Sequence, residues 1–87
     1  MSTAEQRRTV SEAFSAIVGG RPLFEDSDGP VYGEYRAETD RMYYGTVSNS
    51  GLIPCGDVKY RYFESVEKNV ERLVDEAKRY SRNGRQV

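Results

Sequence analysis

At 87 residues and 9.9 kDa the chain is expected to form a single domain, near the lower size limit for folding without disulfides or metals. Leu, Ile, Val and Phe total only 17, close to the composition of disordered chains, but ten aromatics and a net charge of -1 favour a folded domain. Thirteen basic residues against fourteen acidic ones exclude the large positive balance of a typical nucleic-acid binder, and no apolar run approaches the roughly eighteen residues of a membrane helix.

The first ten residues lack the apolar stretch of a signal peptide, and Cys55, the single cysteine, permits no internal disulfide. Both features suit a reducing compartment, so a cytoplasmic, soluble protein is expected.

Ser2 and Thr3 each precede by three positions a residue, Glu5 or Gln6, able to close a capping box, so a helix is expected to start there. Val10, Ala13, Phe14, Ile17 and Val18 form one apolar stripe at helical spacing. Gly19, Gly20 and Pro22 end it, which predicts a first helix over Ala4–Val18. Residues 21–30 mix Pro, Gly, Ser and three acids and read as an acidic loop in which Leu23 and Phe24 turn inward.

From Val31 the period changes to two. Val31, Gly33, Tyr35 and Ala37 alternate with Tyr32, Glu34, Arg36 and Glu38, which predicts a strand with the second set in solvent. A turn at Thr39, Asp40 and Arg41 leads to a second strand over Met42–Ser48, where adjacent Tyr43 and Tyr44 leave the inward register open. Asn49, Ser50 and Gly51 turn the chain again. Leu52–Gly56 reads as a short edge strand limited by Pro54, and Asp57–Phe63 as a better one with Val58, Tyr60 and Tyr62 inward.

Ser65 caps the last predicted helix, Val66–Ser81, whose stripe is Val66, Val70, Leu73, Val74, Ala77 and Tyr80, and the tail from Asn83 is expected to fray. The predicted fold class is therefore α+β: a helix, three or four antiparallel strands and a helix, with both helices on one sheet face and Phe14, Ile17, Val70, Leu73 and Val74 in one core.

Chemistry is sparse. Without histidine the commonest proton carrier is missing, and nothing in the sequence supplies a base to activate Cys55. Glu25, Asp26, Ser27, Asp28 and Gly29 contain D-x-D-G, but setting Gly29 at the sixth position of a calcium loop puts Phe24 and Tyr35 where ligating acids belong. Gly19-Gly20 follows a helix and lacks the downstream Lys of a phosphate loop. No enzyme activity, cofactor or metal is expected. Lys78, Arg79, Arg82 and Arg85 form a local basic run, which equally suits a helix C-terminus.

Six of seven tyrosines fall between Val31 and Phe63. Tyrosine and arginine are enriched at interface hot spots, since they bury much area while keeping a polar tip satisfied. The expected site is a partner-binding face of Tyr32, Glu34, Arg36, Tyr43, Lys59 and Arg61, with Glu25, Asp26 and Asp28 as a second contact. Strand preference alone also accounts for tyrosines there.

The helix, strand and helix order resembles that of double-stranded RNA-binding domains. That resemblance implies a lysine cluster at the start of the last helix, where Ser65-Val66-Glu67-Lys68-Asn69 offers one lysine. Tyr43-Tyr44-Gly45-Thr46-Val47, followed by Glu64-Ser65-Val66-Glu67 and an amphipathic helix, is similar to HicB-type antitoxins over about half the chain, although the long first helix departs from that pattern. Size, acidic loop and tyrosine-rich sheet also resemble small phage proteins that inhibit host defence systems. The favoured reading is a non-catalytic protein-binding module, an inhibitor or adaptor. A nucleic-acid-binding domain using Lys59, Arg61 and the C-terminal bases is the alternative, and a homodimer is compatible with either.

Overall fold

The computed structural model describes residues 3–84, with side chains as far as Tyr80. Helix α1 spans Ala4–Val18, strands β1 to β4 span Phe24–Asp26, Gly29–Arg36, Arg41–Ser48 and Gly51–Lys59, and helix α2 spans Val66–Gly84. The four strands form one antiparallel meander in the order β1-β2-β3-β4.

The α1 boundaries follow from its caps. The Gln6 amide donates to Thr3 Oγ1 at 3.1 Å while the Gln6 side chain accepts from the Thr3 amide, a reciprocal box that satisfies two otherwise orphaned donors. At the other end the Gly19 amide bonds the Ser15 carbonyl, and Gly20 takes φ +72 to turn the chain away. Of the two candidate caps, Ser2 lies outside the described residues. At α2 the Lys68 amide donates to Ser65 Oγ at 3.1 Å, as the sequence predicts.

Several boundaries differ from the sequence expectation. Residues 21–30 are not a plain acidic loop: Phe24–Asp26 pairs with Gly29–Val31 across a two-residue turn at Ser27 and Asp28. Phe24, paired with Val31 and packed against the core, holds this short strand to the sheet. The expected strand over Val31–Glu38 ends instead at Arg36, and Ala37–Asp40 form the turn. The two strands expected over Leu52–Gly56 and Asp57–Phe63 are one, ending at Lys59. Pro54 does not break it, because β4 is an edge strand and the register shifts by one residue at Cys55, between the pairs Tyr44–Gly56 and Gly45–Pro54. Helix α2 continues past Ser81 to Gly84, and residues 85–87 of the expected frayed tail lie outside the described residues.

Both helices cover one face of the sheet. Phe14, Val10 and Val18 of α1 meet Leu73 and Ala77 of α2 over Tyr35, Met42, Tyr44 and Tyr60. Ile17 and Val70 are partly buried against this core; Val74, expected in it, is half-buried and not among the residues that pack against it, because the stripe through Val70, Leu73 and Ala77 leaves it to one side. The Tyr43–Tyr44 ambiguity is resolved by pairing: Met42 faces Tyr35 and Val58 inside, which turns Tyr44 inward and Tyr43 out. Gly45 has no alternative residue, since a Cβ there would overlap the Ile53 carbonyl of the bulged neighbour.

Three of the tyrosines are therefore core residues. The rings of Phe14, Tyr35, Tyr60 and Tyr62 form a chain with centroids 4.8 to 6.2 Å apart. Burial is the main cause that lifts the pKa of Tyr35, Tyr44 and Tyr60 above the ordinary 10.0, and at Tyr35 the hydrogen bond with Tyr62 adds to it. The folded state keeps protons that the unfolded chain releases above about pH 10, so this stability is complete below that pH and lost as pH rises through the folded values. Alkaline titration should accordingly show tyrosinate absorbance and loss of helical circular dichroism rising together. Tyrosines that all ionise near their ordinary value with the helix signal intact would contradict this core.

Candidate functional site

The helices leave the opposite sheet face open, and the register arranges its side chains in rows. Arg36, Arg41 and Lys59 lie side by side across β2, β3 and β4; the next row is Glu34, Tyr43 and Asp57; the next begins with Tyr32 beside Gly45. Each acid in the second row neutralises a base in the first. Arg36 Nε donates to Glu34 Oε2, and Arg41 Nε donates to Asp57 Oδ2 at 2.8 Å. The Arg36 guanidinium also lies 4.7 Å from the centroid of the Tyr43 ring, whose hydroxyl is 2.8 Å from Thr39 Oγ1. The Glu34 hydrogen bond pushes the already high Arg36 pKa further up.

Five of the expected face residues, Tyr32, Glu34, Arg36, Tyr43 and Lys59, are thus brought together on one surface. Arg61 is not on it: β3 begins at Arg41 opposite Lys59, so the chain beyond Lys59 has no strand to pair with and Arg61 falls in the loop before α2. Glu25 pairs with Pro30 at the β1 edge, in the outward register. Asp26 and Asp28 do not join this face. They line a cavity of about 300 Å³ on the helix side, with Val31, Tyr44, Cys55 and Tyr80. Asp26 and Asp28 therefore form a surface separate from the tyrosine-bearing face, while Glu25 lies at the β1 edge of that face.

The C-terminal bases are partly occupied. Lys78 Nζ sits 5.7 Å from the Phe24 ring centroid and Arg79 pairs with Glu76 at 2.8 Å. The Arg82 side chain and Arg85 lie outside the described residues. At the start of α2 the single lysine, Lys68, stands beside Glu67, the acid of the first turn.

Two features of the β4–α2 connection escaped the sequence reading. Asn69 is fully buried on the helical stripe, accepting from the Arg61 amide at 2.9 Å and from Arg72 at 2.7 Å while its amide donates to the Arg61 and Ser65 carbonyls at 3.0 and 2.8 Å. Phe63, on the loop so held, is 84 % exposed. Its spacing from Lys59 and Arg61 was visible in the alternation of residues 58–63; its extreme exposure was not. Beside it an open groove of about 840 Å³ is lined by Gln6, Asp40 and residues 59–63. In its floor the Tyr62 hydroxyl donates to Asp40 and accepts from Tyr35, and Arg7 pairs with Asp40 at 3.3 Å.

Among the described residues no cluster of His, Cys, Asp and Glu is arranged to hold a metal ion, and no helix is long and apolar enough to cross a membrane. Compared with known proteins, the chain matches no family model, no curated protein and no solved structure.

Proposed function

We propose that this chain is a non-catalytic protein-binding module, of the inhibitor or adaptor kind, that engages its partner through the open sheet face. The observation that carries the reading is the Arg36–Tyr43 stack held by Glu34 and Thr39, with Tyr32 alongside. Side chains already fixed in one geometry lose little entropy on binding, and Tyr and Arg are the residues that most often anchor interfaces. A double-stranded RNA surface is the weaker alternative. Helix order and one-sided packing accord with it, but the α2 start offers Lys68 beside Glu67, too little charge to neutralise several phosphates.

Affinity capture from source lysate, with and without nuclease, tests both. A captured protein should survive nuclease, and Tyr32→Ala with Arg36→Ala should weaken its binding by about a hundredfold or more while the fold persists, since neither residue is in the core. Asp28→Ala is the control on the other surface. Capture that survives the double change but vanishes with the control moves the site to the acidic hairpin, and nuclease-sensitive capture selects the nucleic-acid reading.

A further inference from the structure

We propose that the β4–α2 loop is a second recognition element, sharing only Lys59 with the sheet face, whose groove binds an acidic, extended peptide segment of a protein partner with an apolar side chain against Phe63. A single exposed apolar residue is ordinary on a protein surface. What distinguishes Phe63 is the way its loop is held. Arg72 donates to the Lys59 carbonyl at 2.9 Å, the Tyr60 amide bonds the Asp40 carbonyl at 3.0 Å, and Asn69 takes both the amide and the carbonyl of Arg61. The Lys59 carbonyl, the Tyr60 amide and both backbone groups of Arg61 are thus engaged, so a partner reaches this stretch chiefly through side chains.

Those side chains alternate. Tyr60 is buried and Tyr62 half-buried, while Lys59, Arg61 and Phe63 all stand out in solvent along the groove. Charge selects the occupant. The acids around the groove have cationic partners: Asp57 pairs with Arg41, Asp40 with Arg7, and Glu64 with Arg72 at 2.5 Å. Lys59 makes no ion pair among the described residues, and Arg61 only a long one to Glu64 at 3.9 Å. Two cations two residues apart, about 7 Å along an extended chain, therefore face the groove with charge to spare. Carboxylates two residues apart on an extended peptide have the same spacing, and an apolar residue two positions beyond them, on the same side of the peptide, meets the Phe63 ring. A nucleic-acid backbone fits less well, because two bases neutralise only two phosphates, too few to hold a strand at moderate salt.

The probe is an acetylated, amidated Glu-Ser-Glu-Ser-Leu peptide, whose two carboxylates and leucine share one side when extended, titrated into the isotope-labelled chain and followed by amide chemical shifts. A Lys-Ser-Lys-Ser-Leu peptide and a thymidine decamer serve as comparisons. The acidic peptide should move the amides of residues 59–64 with a dissociation constant below about 1 mM, a weak but specific range. Binding should fall about tenfold between 50 and 500 mM salt, as screening of exposed charges requires. Phe63→Ala should keep the wild-type urea midpoint and lose most of the affinity, and Lys59→Glu with Arg61→Glu should abolish it. Tyr32→Ala with Arg36→Ala should leave it unchanged, so this element and the sheet face stand or fall separately. No shifts at millimolar acidic peptide, shifts confined to other residues, or tighter binding of the basic peptide would overturn the proposal. Tighter binding of the decamer would make the groove a single-strand nucleic-acid site. The titration on the unaltered chain decides these outcomes even if a variant fails to fold.

Discussion

Leu73→Ala is expected to cost about 2 to 5 kcal/mol, a large part of the 5 to 15 kcal/mol that a small domain has in all. Leu73 has no exposed surface and sits where the α2 stripe crosses β2. Its Cδ2 occupies the space that Gly33 leaves by lacking a side chain: a Cβ on Gly33 would lie 2.9 Å from it and 3.0 Å from Leu23 Cδ1. Truncation therefore opens a void that neither the sheet backbone nor Leu23 can collapse into fully. The same geometry supplies an internal check. Gly33→Ala alone overpacks this point, by about 1 to 3 kcal/mol, yet in the Leu73→Ala background its methyl enters the void. Urea unfolding of the two single variants and the double one should show the double less destabilised than the sum by more than about 0.5 kcal/mol, the limit for independent sites. Additive losses, or a Leu73→Ala cost below about 0.5 kcal/mol, would mean that the stripe and β2 do not interlock as described.

Much of this fold is legible in the sequence because its cues are local. The Thr3–Gln6 box and Gly19-Gly20 bound α1 to the residue, Ser65 marks the start of α2, and alternation from Val31 to Arg36 assigns the faces of β2. What was not legible depends on partners distant in sequence. Three residues of β1 carry no period of their own and form a strand only because Val31 and the core hold Phe24. Alternation at Val58, Tyr60 and Tyr62 continues past the end of β4, since it reports burial and not pairing. Arg41 sets the last rung at Lys59, and Tyr60 bonds the Asp40 carbonyl instead.

The candidate site divides in the same way. Tyr32, Glu34 and Arg36 share a face by their own alternation, whereas the choice of Tyr43 over Tyr44 needed the Met42 register. The tyrosine count itself misled in part: Tyr35, Tyr44 and Tyr60 fill the core of a chain poor in Leu and Ile, and only Tyr32 and Tyr43 turn outward on the sheet. A tyrosine can close a small core provided its hydroxyl finds a partner or the surface, and for Tyr35 the Tyr62 hydroxyl, itself bonded to Asp40, is that partner. The separation of Asp26 and Asp28 from the outer face follows from the two-residue turn, which a reading of residues 21–30 as loop could not contain.

Asn69 shows most clearly why a stripe of apolar residues is an incomplete account of a buried helix face. It lies three residues after Val66 and four before Leu73, so helical geometry sends it inward with them, and there it serves the chain that enters the helix. Asn69→Leu keeps the branched four-atom outline of the side chain, at a larger volume, and removes every one of its bonds. The Arg61 amide and carbonyl would lose their partners, Arg72 would lose one of its acceptors, and Arg72 Nε is already buried without one. Unmade bonds at this depth cost about 1 to 3 kcal/mol each where water cannot replace them, and the loop is near enough to solvent for part of that loss to be recovered. The expected net destabilisation in urea is about 2 to 4 kcal/mol. Amide exchange separates this loss from a loss of core packing. Exchange at Arg61 should accelerate far more than at Met42 or Tyr44 in β3, because the clamp and not the sheet has been removed. Equal acceleration at all three sites would mean that Asn69 supports the whole core; an Arg61 amide as protected as in the parent chain would mean that the loop displaying Phe63 is not held by Asn69.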